Sequence, residues 1–108
     1  MSKELLQSHV DHIANTLSNP AEPVENEFGD IEGDAFDWLQ DSLDIEWVIS
    51  SDKKTLIGAR VLVAFGGPNI WVDTRNKIVE GFWWGDYAKA SFEDNLGIAD
   101  ALETLYNC

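Results

Sequence analysis

Basic residues are scarce in this sequence: seven Lys and Arg stand against twenty Asp and Glu, a formal charge of −13 over 108 residues. A surface that neutralises a phosphate backbone needs Lys and Arg, so direct nucleic-acid binding is disfavoured. Cysteine occurs once, as Cys108, which leaves no internal disulfide; a terminal thiol of this kind is read as incidental. Histidine occurs only at His9 and His12. With no third His and no internal Cys, neither a metal site nor a nucleophile–base pair is expected, and both are read as surface residues. No apolar run approaches the roughly 18 residues of a membrane span. The opening Met1-Ser2-Lys3-Glu4 lacks the layout of a signal peptide. The expectation is a cytoplasmic, non-enzymatic chain with no cofactor, no metal and no membrane partner.

Hydrophobic residues make up 44% of the chain and tryptophan occurs five times, which excludes a disordered acidic tail. The length suits a single domain, 1–108. The charge is unevenly placed. Residues 21–46 hold ten acids and no Lys or Arg, and so supply −10 of the −13. Self-repulsion on this scale costs stability, and solubility alone would be met by a smaller, more mixed charge.

Residues 3–18 read as a helix in which Leu6, Val10, Ile13 and Leu17 fall within an arc of about 60°. Asn19-Pro20 stops it. Residues 20–30, with two prolines and several acids, read as a mobile acidic loop. A second helix is expected over about 33–43. Phe36, Leu39 and Leu43 would form its apolar side, while Asp34, Asp37, Asp41 and Asp44 would line the nearly opposite side within about 80°. That row would extend about 15 Å along the helix. Trp38 projects midway between the two sides and is a candidate interface anchor.

Strands are expected at 45–50, 56–65, 69–73 and 78–84, with the last two forming a hairpin around Thr74-Arg75-Asn76-Lys77. Phe82 and Trp84 are assigned to the core, and Trp71 and Trp83 lie either under a helix or partly exposed. A last helix is expected from Ser91, as cap to Asp94, to about Tyr106, with Phe92, Leu96, Ala99, Leu102 and Tyr106 on its buried side. The fold class is therefore α+β, an antiparallel sheet of three or four strands with helices packed on it, in the order α-α-β-β-β(β)-α. No residue requires a dimer, and the oligomeric state stays open.

Two local motifs are set aside. Asp30-x-Glu32-x-Asp34 has the start of a calcium loop, but Ala35 stands where the glycine belongs and Asp41 where a bidentate glutamate belongs. Gly66-Gly67-Pro68-Asn69 lacks the Lys-Ser/Thr of a phosphate loop and no helix follows it, so it reads as a bulge or turn.

Gly66-Gly67-Pro68-Asn69-Ile70-Trp71-Val72-Asp73-Thr74 and Val79-Glu80-Gly81-Phe82-Trp83-Trp84-Gly85-Asp86, with the closing Leu105-Tyr106-Asn107, carry a likeness. Over residues 59–108 the chain resembles small acidic proteins borne by phages, prophages and plasmids. Many of these inhibit host defence, as anti-CRISPR or antirestriction proteins, and several imitate DNA. The resemblance implies a stoichiometric inhibitor and transfers no catalytic residue. The acidic segment lies outside it, so its role rests on its charge. Asp30, Glu32, Asp34, Asp37, Trp38, Asp41, Asp44 and Glu46 are the candidate contacts to a basic, nucleic-acid-binding protein. Two other readings stand beside this one: an immunity or antitoxin-like protein neutralising a basic toxin, and a non-catalytic adaptor module kept soluble by its acidity.

Overall fold

The computed structural model describes residues 2–107; Cys108 lies outside the described residues. Helix α1 (Lys3–Ser18) opens on Ser2, whose side chain accepts from the Leu5 amide at 3.1 Å. Its buried stripe is Leu6, Val10, Ala14 and Leu17, with Ile13 half-buried at the margin. The segment expected as a loop instead contains a small antiparallel hairpin, β1 (Val24–Glu25) paired with β2 (Ile31–Glu32). Helix α2 (Ala35–Gln40) follows.

The main sheet is an antiparallel meander of five strands in sequence order, β3 (Asp44–Ile49), β4 (Leu56–Ala64), β5 (Asn69–Asp73), β6 (Ile78–Trp83) and β7 (Asp86–Ser91). Helix α3 (Ile98–Tyr106) closes the chain. The α+β class and one-sided helix packing are as expected, whereas the strand count is higher. Strand β7 carries little sequence signal, because its Ala88 and Ala90 have little strand propensity. What makes it a strand is the two-residue turn before it. Trp84 and Gly85 have φ of 47° and 84°, the positive pair that matches a hairpin's twist.

The register sorts side chains into two faces. One carries the rows Ile45–Val61–Val72–Val79–Ala90 and Ala64–Ile70–Gly81–Ala88. Residues from all three helices join these rows in one core. Helix α1 lies across β6 and β7, while α3 packs on β4 and α2. At Gly81 a Cβ would stand 2.8 Å from Val10 Cγ2 and 2.9 Å from Leu6 Cδ1, so glycine is what lets α1 settle this close. The opposite face carries Asp44–Leu62–Trp71–Glu80–Lys89 and Glu46–Arg60–Asp73–Ile78–Ser91 and has no helix over it.

The last helix starts later than the sequence suggests. Ser91 ends β7, and Phe92 is buried from the connection rather than from the helix. The N-cap position is Gly97, and the capping group is the carboxylate of Asp94 before it, which accepts from the amides of Gly97 at 2.9 Å, Ile98 at 2.8 Å and Ala99 at 2.9 Å. It thereby satisfies donors that a helix start leaves unpaired. Asp94→Ala is expected to lower stability by about 1–2 kcal/mol in urea unfolding, and Ser91→Ala to change it by under about 0.5 kcal/mol. Equal effects of the two would contradict this assignment of the cap.

Candidate functional site

The acidic segment begins at the β1–β2 hairpin, whose turn is organised by Asn26. Its Oδ1 accepts from the amides of Phe28 at 2.9 Å and Asp30 at 3.0 Å, and its Nδ2 donates to Glu32 Oε1 at 3.1 Å. The chain then turns through Gly33, at φ 89°, into α2. There Asp34 Oδ1 accepts from the Asp37 amide at 2.9 Å, while Asp37 Oδ2 accepts from the Gly33 amide at 2.9 Å. This is a reciprocal cap of the capping-box kind. Two of the candidate carboxylates thus hold the start of the helix.

These bonds also correct the expected ridge. Helix α2 is six residues long, so Asp34, Asp37, Asp41 and Asp44 do not share a helical side. Asp34 precedes the helix, Asp41 follows it and Asp44 opens β3. The helix ends early for a physical reason. Its last turn holds no base, and Asp41 places a carboxylate at the negative end of the dipole. Ser42 Oγ then donates to the Leu39 carbonyl, and the Leu43 amide donates to Leu62 in the sheet. The apolar side differs too: Ala35 and Leu39 are buried, whereas Phe36 and Leu43 are exposed.

The acids therefore form two groups. Asp30, Glu32, Asp34 and Asp37 line one shallow concavity together with Asn26 and Phe36. Asp44 and Glu46 lie on the helix-free face of the sheet. Glu46 Oε1 is 3.3 Å from Arg60 Nη1, the one ion pair among the described residues, and the Arg60 guanidinium sits 4.5 Å over the Trp71 ring. Asp41 is exposed between the two groups in sequence, and Trp38 is half-buried against the core.

Phe82 and Trp84 depart from their expected places in the core, while Trp71 and Trp83 keep to theirs. Trp84 is 87% exposed and Phe82 40% exposed, while Trp83 is packed against the core and Trp71 is half-buried on the open face. The reason is the register: Val79, Gly81 and Trp83 face the helices, so Phe82 faces the open side with Tyr87, and Trp84 stands beyond the end of β6 at the hairpin tip. With Phe65, 72% exposed, and Tyr87, 41% exposed, these rings make an aromatic end to the molecule. A concavity there is lined by Gly66, Gly67, Asn69, Phe82, Trp84 and Tyr87, among others. The signal that could have found it is Trp84-Gly85-Asp86 after a strand, since a Gly in that position marks a tight turn.

Among the described residues no group of three or more His, Cys, Asp or Glu is placed to hold a metal ion, and no helix is long and apolar enough to cross a membrane. Neither family models, nor curated proteins, nor solved structures give a match to this chain.

On the same face Tyr87 Oη donates to Glu80 Oε2 at 2.6 Å, and the carboxylate holds the phenol's pKa above its usual value. The bond needs the protonated phenol, so its contribution is present below about pH 10 and is lost as pH rises through the raised pKa. Glu80→Gln is expected to return the Tyr87 titration, followed by phenolate absorbance, to lower pH. An unchanged titration would remove Glu80 as the cause.

Proposed function

We propose that the chain is a stoichiometric, non-catalytic inhibitor whose acidic surface occupies the nucleic-acid-binding site of a basic partner protein. The observation that carries this reading is the unneutralised charge. Residues 21–46 hold ten carboxylates, and among the described residues only Glu46 forms an ion pair. A surface serving solubility alone would be mixed in sign. This one presents to a partner's Lys and Arg what a phosphate backbone presents.

The structure changes how such a surface would work. Instead of a straight row on one helix, the carboxylates of Asp30, Glu32, Asp34 and Asp37 gather around one concavity whose backbone is tied by the Asn26 turn and the reciprocal cap. Tied acceptors lose less freedom on binding. Guanidinium groups of the partner would pair with them through charge-assisted bonds. Bacterial defence proteins are the partners proposed first, on the resemblance read over residues 59–108.

The test must spare the acids that hold the fold. Asp30 and Asp41 are exposed, and their carboxylates take no part in the hydrogen bonds of the turn or the cap. With the tagged chain immobilised and exposed to a bacterial lysate, the expected outcome is retention of a nucleic-acid-binding protein that both salt and duplex DNA displace. Asp30→Lys with Asp41→Lys is expected to weaken that retention at least tenfold while circular dichroism shows the fold retained, with at most a slightly longer α2. Retention indifferent to salt, to DNA and to the double substitution would overturn the reading.

A further inference from the structure

The aromatic end of the molecule is not explained by folding. Trp84 adopts φ 47°, a conformation that disfavours bulky side chains and that Asn or Gly adopts readily. Its ring is 87% exposed, so burial returns little of that cost; an edge-on contact with Trp83, centroids 5.9 Å apart, is what it gains locally. Beside it Phe82 and Tyr87 meet in a tilted contact with centroids 5.1 Å apart, with the Tyr87 ring held by its bond to Glu80. Exposed rings clustered in this way mark an interaction surface.

The chemistry of the concavity selects its occupant. Its lining combines the aromatic residues Phe82, Trp83, Trp84 and Tyr87 with Asp86 and Asn69, and contains no Lys or Arg. Ring faces and a carboxylate attract a cation, and a planar guanidinium can stack on a ring while it donates to an acid. The chain builds this same arrangement internally, where Arg60 lies over Trp71 and pairs with Glu46. A second copy of the chain is a poor occupant, because it would bring another −13 of like charge.

We propose that this concavity receives an arginine side chain of the partner protein, as a short-range anchor separate from the acidic segment. The inference rests on the reading that the partner is basic, and it names the partner group that docks here. Trp84→Asn is the useful variant, since Asn-Gly is a favoured pair for this turn and the substitution removes only the ring.

The experiment is an NMR titration of the full chain with acetyl-tetra-arginine amide, with acetyl-tetra-serine amide as control. The arginine peptide is expected to shift the Trp84 indole and the Gly67 and Gly85 amides saturably, and the serine peptide to leave them in place. In Trp84→Asn the amide shifts should require at least tenfold more arginine peptide. In Asp30→Lys with Asp41→Lys they should persist at the same residues. Shifts confined to residues 22–46 would overturn the anchor while leaving the acidic-surface reading intact. Equal shifts from the serine peptide, or an unaltered titration in Trp84→Asn, would overturn the anchor as well. Failure of the acidic-surface reading shows separately, in the salt and DNA dependence of lysate retention.

Discussion

The structure depends on one close approach, that of α1 to the sheet over β6 and β7. Leu6 and Val10 are fully buried, and they settle where Gly81 leaves out a side chain. An acidic chain of this size needs such a contact. Charge repulsion disfavours the compact state, and the opposing force is apolar burial at about 25 cal/mol per Å². The charge has accordingly been kept away from this contact. Residues 21–46 form the small hairpin, the short helix and the edge strand β3, while α1 lies across the opposite edge of the sheet.

Within the acidic segment some charge is turned to structural use. Asp34 and Asp37 cap α2 and Glu32 steadies the Asn26 turn, while further along Asp94 caps α3 through three amides. A carboxylate that accepts backbone N–H bonds at a helix start is stabilised there, by the bonds and by the helix dipole. Such a residue serves the fold and the surface potential together. It also means that neutralising acids indiscriminately would confuse unfolding with loss of binding, and this is why Asp30 and Asp41 are the informative positions.

Much of the fold was legible in the sequence, for reasons that can be named. Alternation in Ile45-Glu46-Trp47 follows from a sheet with one covered face, and the α1 stripe follows from a helix lying on that face. What was not legible depended on which face is covered and on turns. Alternation in β6 does not say which of its two apolar sides meets the helices: Val79, Gly81 and Trp83 do, which leaves Phe82 on the open face, and Trp84 lies past the end of the strand. Reading 33–43 as continuous helix gave weight to apolar spacing and too little to the dipole cost of Asp41 and to the Leu43 amide, which is drawn into the sheet by the Leu62 carbonyl. The acidic set itself was legible from composition; its division between a capped corner and a sheet face was not, since it follows from where α2 stops.

The two surfaces differ in range, and this bears on how recognition would be divided between them. Charges at the acidic corner act over roughly a Debye length, about 8 Å at physiological salt, and so govern encounter and orientation. Ring faces at the hairpin tip act only on contact, and they discriminate by shape as well as charge. A polyanionic surface alone would attract any basic protein with little preference among them. An exposed Trp84 held in an unfavourable backbone conformation adds a requirement that few basic surfaces meet: a cation positioned to reach the tip while others engage the corner. Specificity for one partner would then lie in the fixed arrangement of the two sites on one fold, since neither site supplies it separately.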